Sequence, residues 1–238
     1  MLFSCLSLLL VVFHSTYLCA EEAANLQGDT VRLGLLVPDR GELAQQAIDA
    51  AMLAVEEENR TSPNHFVLMT ESCEGPWGIA SKASVRLLHE LGAAAMIGSL
   101  DGRNAHLAEQ VAVKSRKIIL CTRAGDPSLS YAFVPWFFRC TPDDVKQAAV
   151  LLEHIQSEMP GALVGLVGVD VYDSRMAMQA FAKSAEEKED LHTRIFMVGT
   201  SEGNPDKIAM EILDTEPDVL VFFDAIPAEA LLEKALQK

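Results

Sequence analysis

Basic residues are scarce in this sequence. Its 238 residues include 19 Lys and Arg against 34 Asp and Glu, which gives a formal net charge of −15 at pH 7. Binding to a nucleic-acid backbone requires clustered Lys and Arg side chains, so we expect no nucleic-acid partner. The acidic excess is typical of a soluble protein and does not by itself indicate a fold.

Motifs for metal binding and cofactor binding are also lacking. The sequence has no H-E-x-x-H motif, no Walker loop and no G-x-G-x-x-G dinucleotide motif. Its six histidines are scattered, and none forms a metal-ligand pattern with another His or with a Cys. We therefore predict a protein that is not an enzyme and holds no metal or cofactor. His106 and His154 are interpreted as exposed residues on helix surfaces.

Cysteine is too sparse for a disulfide framework. Beyond the first 20 positions only Cys73, Cys121 and Cys140 remain, so at most one intramolecular disulfide can form. No C-x-x-C pair occurs. We interpret the three as buried structural thiols, since free cysteine behaves as a small apolar residue. An exported protein could still form a single bridge.

Charged residues are missing from positions 1–20, MLFSCLSLLLVVFHSTYLCA. An apolar block, Leu6–Phe13, is followed by Leu18-Cys19-Ala20, a pattern typical of a secretory signal peptide cleaved after Ala20. We therefore predict export to the periplasm or the extracellular space. The alternatives are an uncleaved membrane anchor, for which the apolar block is short, and a lipid attached to Cys19.

Apolar runs alternate with helical patterns from residue 31 onward. Strands are predicted where β-type residues cluster, and helices where apolar residues recur at helical spacing. Before residue 140 the predicted strands are Val31–Val37, His65–Met69, Ala94–Ile97 and Ile118–Cys121, with helices at Gly41–Glu58, Trp77–Leu91 and Asn104–Lys114. Such alternation is typical of a parallel, doubly wound α/β sheet.

The alternation is interrupted at Tyr131–Arg139 and then restarts. This segment (YAFVPWFFR) is aromatic and contains a proline, and we interpret it as an irregular crossover ending in a short strand. Its aromatic side chains favour hinge or core packing, with stacking on a ligand as the alternative. Elements predicted after it are a helix from Pro142, strands Leu163–Val169, Arg194–Val198 and Val219–Phe223, and helices after Tyr172, at Asp206–Leu213 and at Pro227–Leu236.

Two small, polar turns follow the third and fourth predicted strands. Gly98-Ser99 begins the first turn, and Thr122–Pro127 forms the second. Because ligands of open α/β sheets bind in the crevice outside the carboxyl ends of the strands, these turns predict a pocket. The rest of the chain is interpreted as its scaffold.

Five segments occur in an order that resembles a known family. They are VRLGLLVP followed by AIDAAMLAVEEEN, then AAAMIGS, IILCTRAGDPSLS, FFRCTPDD and VGLVGVDVYDSRMAMQAFAKSAEE. Together they resemble the type I periplasmic binding proteins, specifically the leucine or branched-chain amino-acid group of extracellular solute and ligand-binding receptors. The similarity covers nearly all of residues 31–238.

The resemblance implies an α/β fold with two doubly wound parallel-sheet lobes and a ligand held between them. Residues 21–139 are expected to form the first lobe, and residues 140–238 an incomplete second lobe without the return segments of the family. The implied function is capture of a small polar ligand, such as an amino acid or amide, for ABC-type uptake or for sensing. The implied partner is a transporter permease or a membrane sensor.

The resemblance also supplies candidate ligand-binding residues. The turns Ser99–Arg103 and Thr122–Asp126 correspond to the first-lobe ligand contacts, and Tyr172 corresponds to a second-lobe tyrosine found near the ligand. Ala124 would act through its main chain. The complete candidate set is Ser99, Asp101, Gly102, Arg103, Arg123, Ala124, Gly125 and Tyr172.

The chain departs from the family pattern at three points. Leu100–Arg103 stands where the family has a Ser/Thr pair, Asp173 replaces a glycine, and Asp101 replaces the cysteine that would pair with Cys73. Arg103 and Arg123 are open to a second interpretation, as solvated or salt-bridged turn residues. The alternative functions are a structural or regulatory homologue that has lost ligand binding and, third, an exported α/β enzyme.

Overall fold

The computed structural model describes residues 28–98, 100–131, 133–188, 190–199 and 205–223. The predicted signal peptide, the predicted helix Pro227–Leu236 and the candidate residue Ser99 lie outside these ranges. Within them, no helix is both long enough and apolar enough to cross a membrane.

Five parallel strands form the first sheet, in the order β2-β1-β3-β4-β5. They are β1 (Thr30–Val37), β2 (His65–Ser72), β3 (Ala95–Gly98), β4 (Ile118–Cys121) and β5 (Phe137–Arg139). Leu35 and Val37 of β1 lie in one apolar cluster and Leu36 in another, because successive side chains of a strand point to opposite faces. Both faces of this sheet are therefore covered, as parallel sheets require.

Helices cover the two faces of the first sheet. Helix α1 (Glu42–Glu58) buries Ala44 against the β1 residues Leu35 and Val37. On the other face lie α2 (Ile79–Val85), which continues as a π-helical turn (Arg86–Glu90), and α3 (Gly102–Ser115). Helix α3 turns a row of fully buried alanines toward the core, Ala105, Ala108 and Ala112. A short helix α4 (Ser128–Tyr131) follows β4.

The second sheet has three parallel strands in the order β7-β6-β8. They are β6 (Leu163–Val169), β7 (His192–Val198) and β8 (Val219–Phe223). Helices α5 (Asp144–Glu158) and α6 (Tyr172–Glu186) pack on one face, and α7 (Pro205–Thr215) packs on the other. We call β1–β5 with α1–α4 the first lobe and β6–β8 with α5–α7 the second lobe.

The predicted α/β fold class is confirmed, with parallel sheets of five and three strands among the described residues. The strands Ile118–Cys121, Leu163–Val169 and Val219–Phe223 have the predicted bounds. Strand β2 runs three residues past its predicted end because its polar tail pairs with β1, where Ser72 lies opposite Val37. Pairing with β1 extends strand β2 by these three residues, although they lack a hydrophobic pattern.

The cysteines are free thiols in the described part of the chain. Cys73 and Cys121 are buried, as expected for structural thiols, whereas Cys140 is exposed. Burial raises the pKa of the Cys73 thiol to about 12, and the nearby carboxylates of Asp101 and Glu71 add to the effect. Cys73 is therefore a poor nucleophile.

Candidate functional site between the lobes

The two predicted turns are neighbours because β3 and β4 end level with each other. Gly98 pairs with Cys121, and the Thr122 amide donates a 3.0 Å hydrogen bond to the Gly98 carbonyl. Asp101 then caps helix α3, since its carboxylate accepts a 2.9 Å hydrogen bond from the Asn104 amide. The first turn thus directs the positive end of the α3 dipole toward the second lobe.

A second-lobe carboxylate occupies this helix N-terminus. The Gly102 amide donates a 2.8 Å hydrogen bond to Asp173 Oδ1, and Asp173 lies in the first turn of α6. Helices α3 and α6 therefore meet N-terminus to N-terminus, with the Asp173 carboxylate between their positive ends. Burial raises the pKa of Asp173, which the Gly102 hydrogen bond opposes.

Position 102 has no room for a side chain. A Cβ atom there would lie 2.9 Å from Asp126 Cβ and 3.1 Å from Asp173 Oδ1. Glycine thus allows the α3 backbone to approach both the second turn of its own lobe and a carboxylate of the other lobe. The predicted residue Gly102 is a point of contact between lobes.

Arg139 fixes the second turn from strand β5. Its guanidinium donates to the Ala124 carbonyl at 2.9 Å and to the Asp126 carbonyl at 2.7 Å. The Asp144 amide donates a 2.8 Å hydrogen bond to the Gly125 carbonyl. The Asp144 carboxylate lies directly against Gly125, where a Cβ atom would overlap it. The turn is therefore held through its main chain, and the carbonyls of Ala124, Gly125 and Asp126 already accept hydrogen bonds.

Asp126 is the centre of a buried hydrogen-bond cluster. Its side chain is 1% exposed, and Oδ2 accepts a 2.7 Å hydrogen bond from the Tyr172 hydroxyl of the second lobe. Oδ1 accepts from the Ser128 hydroxyl at 2.6 Å, and His106 Nε2 lies 3.3 Å from Oδ2. His106 Nδ1 lies 3.5 Å from the buried Glu109 carboxylate. The imidazole therefore bridges two carboxylates.

These contacts fix the charge of the cluster. Hydrogen bonds to Asp126 and Glu109 raise the pKa of His106 to about 9, with burial opposing them. Burial would raise the pKa of Asp126, but hydrogen bonds from His106, Ser128 and Tyr172 outweigh it and hold that pKa well below its usual range. At neutral pH the pair is therefore an imidazolium and a carboxylate.

This charge state argues against a nucleophilic serine at position 128. The Ser128 hydroxyl donates to Asp126 and lies 2.9 Å from His106 Nε2. A general base must be able to accept the serine proton, and an imidazolium has no lone pair for it. The arrangement is a structural hydrogen-bond cluster that positions the second turn.

Two cavities flank the contact between Gly102 and Asp173, and both are lined by Arg123 and Asp173. The larger one, about 340 Å³, is lined by Gly125, Asp144 and the α6 and β8 residues Phe181, Val221 and Phe223. We call it the deep cavity. The second, about 310 Å³, is lined by Trp77, Asp101, Arg103 and Tyr172 and is called the rim cavity.

Arg103 lies between two aromatic rings in the rim cavity. Its guanidinium carbon is 5.5 Å from the centroid of the Trp77 ring and 6.0 Å from that of the Tyr172 ring. Such distances are typical of cation–π contacts. The side chain bridges the lobes, because Trp77 belongs to the first lobe and Tyr172 to the second.

Solved structures of similar fold are numerous, although no family model matches the sequence and no curated protein matches it. A solute-binding protein of an ABC transporter from Rhodopseudomonas palustris BisB5, in complex with 3,4-dihydroxybenzoic acid, superposes with a TM-score of 0.73 at 14% identity. That match covers 87% of this chain and 58% of the other. A leucine-binding protein LivK from Thermotoga maritima gives a TM-score of 0.73 at 16% identity, over 87% and 60% of the two chains.

A third structure agrees with these two. The branched-chain amino-acid transporter substrate-binding protein LivJ from Streptococcus pneumoniae, in complex with isoleucine, gives a TM-score of 0.69 at 16% identity and covers 81% of this chain and 56% of that one. The chain has the type I periplasmic-binding-protein fold. It spans less than two thirds of the length of these structures.

Most of the candidate residues lie around the two cavities. Asp101, Arg103, Arg123 and Tyr172 line the rim cavity, and Arg123 and Gly125 line the deep cavity. Ala124 is buried behind the turn, 1% exposed. The Asp101 carboxylate is engaged in capping α3, and the Gly102 amide is engaged by Asp173.

Other residues of the site were missed or misread from the sequence. The sequence-based interpretation of His106 as an exposed helix residue is wrong, because its ring contacts Asp126, Glu109 and Ser128. The hydrophobic periodicity of the sequence does not reveal the contacts of the His106 ring. Asp144 and Arg139 both lie in the segment FFRCTPDD, which the resemblance had singled out.

The aromatic crossover segment does not face the cavities. Phe137 packs against the first-lobe core, which fits the preferred interpretation, while Tyr131 is 70% exposed and Phe138 is 49% exposed. None of these three, nor Trp136, lines either cavity. Stacking of this segment on a ligand in either cavity is therefore not part of the observed arrangement.

One catalytic-type motif occurs between β7 and α7. Gly199–Gly203 reads G-T-S-E-G, the G-x-S-x-G pattern of a nucleophile elbow. Its serine, Ser201, lies outside the described residues, and His192 lies at the opposite end of β7. The motif therefore has no demonstrated partner. Among the described residues, no group of three or more His, Cys, Asp or Glu could hold a metal ion.

Proposed function

We propose that this chain binds a small polar ligand between its two lobes. Residues 21–139 and 140–238 would form the lobes, and closing them on the ligand would present a surface to a transporter permease or a membrane sensor. The proposal includes export, with residues 1–20 as signal peptide. The candidate contacts are Ser99, Asp101, Gly102, Arg103, Arg123, Ala124, Gly125 and Tyr172.

The observation that carries this proposal is the deep cavity. Its walls come from both lobes: Arg123 and Gly125 from the first, and Asp173, Ser174 and Phe181 from the second. Its volume of about 340 Å³ lies in the range of small-molecule sites, which combine apolar walls with a few polar groups. The solved structures of similar fold include complexes with isoleucine and with 3,4-dihydroxybenzoic acid.

Thermal unfolding against a panel of compounds tests the proposal. The panel comprises amino acids, their amides, aliphatic amines and small aromatic acids. A ligand at 100 times its Kd should add about 2.7 kcal/mol to the free energy of unfolding. For a protein of this size that corresponds to a rise in Tm of roughly 5–10 °C.

A matched pair of variants locates the binding site. Ala177 lines the deep cavity, so Ala177→Phe should abolish the ligand-induced rise in Tm. Ala149 is exposed on α5 and lines neither cavity, so Ala149→Phe should preserve the rise. If no compound changes the Tm of the unaltered protein, or if both variants keep the rise, the proposed site is wrong.

A second candidate function is a structural or regulatory protein that no longer binds a ligand. It is favoured by the direct contacts between lobes, from Tyr172 to Asp126 and from Gly102 to Asp173. These contacts could hold the lobes together without a ligand. Small-angle scattering distinguishes the two functions. The second predicts one radius of gyration with and without every panel compound and no change in Tm.

A further inference from the structure

The N-terminus of α3 offers a main-chain N–H and a positive dipole end, which together favour an anion. That position is filled by the Asp173 carboxylate, at 2.8 Å from the Gly102 amide. A ligand carboxylate would have to displace a carboxylate of the protein itself. The site therefore disfavours ligands whose recognition depends on a carboxylate at α3.

Among the described residues that line the deep cavity, negative charge exceeds positive charge. The carboxylates are Asp144 and Asp173, and the single cation of this set is Arg123, which is exposed. Burial, followed by the charges of Asp173 and Asp126, raises the pKa of Asp144 to about 6. The Asp144 carboxylate is thus ionised at neutral pH in an environment that penalises its charge.

The protein offsets this charge only in part. Arg139 lowers the pKa of Asp144, but its guanidinium also donates to the carbonyls of Ala124 and Asp126. A ligand cation beside Asp144 would contribute compensation for the charge of this half-buried carboxylate. Asp144 is held at this place by its contact with Gly125, where any side chain at position 125 would overlap it.

The apolar lining of the deep cavity begins on the same helix as Asp173. Ala177 and Phe181 follow Asp173 at helical spacing on α6, Val221 and Phe223 come from β8, and Phe181 packs edge to face on Phe223 at 5.9 Å between ring centroids. A ligand that satisfies both the acidic and the apolar part of the lining needs a cationic group at one end and a short hydrocarbon or aromatic part at the other.

We infer that the deep cavity selects an organic cation, namely an ammonium or guanidinium group on a short apolar chain, with Asp144 and Asp173 as the charge-selecting residues. This inference rests on the proposed function, because it assigns the ligand class of the same site. It departs from the sequence-based expectation of an amino acid, whose carboxylate would compete with Asp173 for the α3 N-terminus.

Isothermal titration calorimetry at pH 7.5 with three related probes tests the inference. The probes are isopentylamine, leucine and 4-methylpentanoate, which share one branched hydrocarbon chain and carry an ammonium, both charges and a carboxylate respectively. Isopentylamine should bind at least tenfold more tightly than leucine and 4-methylpentanoate. Leucine is the sharpest comparison, since it differs from isopentylamine only by its carboxylate.

Charge variants determine which residues select the ligand. Asp144→Asn should weaken isopentylamine binding at least tenfold, while the matched control Asp214→Asn, on the exposed side of α7, should leave it unchanged. Arg123→Gln should strengthen amine binding, because it removes a like charge from the cavity. Asp173→Ala frees the Gly102 amide and should admit 4-methylpentanoate.

The outcomes separate this inference from the proposed function. Binding of leucine or 4-methylpentanoate in preference to isopentylamine overturns the inference and supports the proposed function. Weaker amine binding by Arg123→Gln, or an unchanged affinity in Asp144→Asn, overturns it as well. Absence of binding by all three probes also overturns it, and the wider thermal panel then decides whether the chain binds any ligand.

Discussion

The Tyr172 hydroxyl donates a 2.7 Å hydrogen bond to Asp126 Oδ2 and thereby joins the second lobe to the most deeply buried carboxylate of the first. The contact depends on an ionised Asp126, which His106 and Ser128 maintain. Burial and this hydrogen bond raise the pKa of Tyr172 to about 12, so the phenol keeps its proton. The lobe contact is thus a charge-assisted hydrogen bond with a defined donor and acceptor.

Tyr172→Phe should lower the free energy of unfolding by about 1–2 kcal/mol, because Asp126 loses one charge-assisted hydrogen bond. Chemical denaturation measures this loss, and small-angle scattering should report a larger radius of gyration as the lobes separate. Tyr131→Phe is the control, since Tyr131 is 70% exposed and should change stability by less than about 0.5 kcal/mol. Equal effects of the two variants would contradict the proposed role.

His106→Gln should remove a pH dependence of stability. Because hydrogen bonds to Asp126 and Glu109 raise the pKa of His106 to about 9, its contribution is complete below pH 6.5 and is lost as the pH rises to about 9. The imidazole is partly exposed and solvent screens its ion pairs, so we expect the unaltered protein to lose about 1–2 kcal/mol over this range. Urea denaturation at several pH values measures it.

The control for this experiment is His154→Gln. His154 is exposed on α5, and its replacement should leave the pH profile of the unaltered protein unchanged. If His106→Gln retains the full loss between pH 6.5 and 9, another group is responsible and the bridge between carboxylates does not stabilise the fold.

Gly102→Ala should destabilise the protein by about 1–3 kcal/mol through overpacking. Alanine favours helices over glycine by about 1 kcal/mol, so an unhindered helix position would be stabilised by the same change. The added methyl group would meet Asp126 Cβ at 2.9 Å, a contact with a buried neighbour that has little room to move. A rise in Tm would show that α3 does not approach the second turn this closely.

Binding of isopentylamine should depend on pH through Asp144. Because the pKa of Asp144 is raised to about 6, affinity should fall about tenfold between pH 7.5 and pH 5 as the carboxylate gains its proton. The charged groups that face Asp144 are Asp173, Asp126, Asp143, Arg139 and Arg123. Calorimetry measures the profile, and Asp144→Asn should flatten it. A steep profile that persists in Asp144→Asn would assign the dependence to Asp173.

Strand positions were predictable because buried parallel strands consist of near-continuous apolar residues. Leu163–Val169 is an example, with its five central residues buried and bounds that match the prediction. The adjacency of the two turns was also predictable, since consecutive βα units place their strand ends at one sheet edge. The segment Ser128–Tyr131 was not predicted as a helix, because four residues are too few to show a period.

The hydrogen-bond cluster around Asp126 could not be predicted from local sequence patterns. His106, Asp126 and Tyr172 are far apart in sequence, and each taken alone fits a solvated helix or turn. In the sequence Asp173 stands out only as a departure from a family pattern, yet it supplies a lobe-to-lobe contact at 2.8 Å. Local sequence carries no information on which distant carboxylate reaches a given helix N-terminus.

The sequence by itself determined the α/β architecture, the alternation of strands and helices, and the two turns at the sheet edge, because hydrophobic periodicity and turn chemistry are local properties. The tertiary structure decided what those turns contact. The N-termini of α3 and α6 face each other, and the buried positive ends require a carboxylate between them, which Asp173 provides. Gly102 and Asp173 belong to different lobes, so they come together only when both lobes have folded.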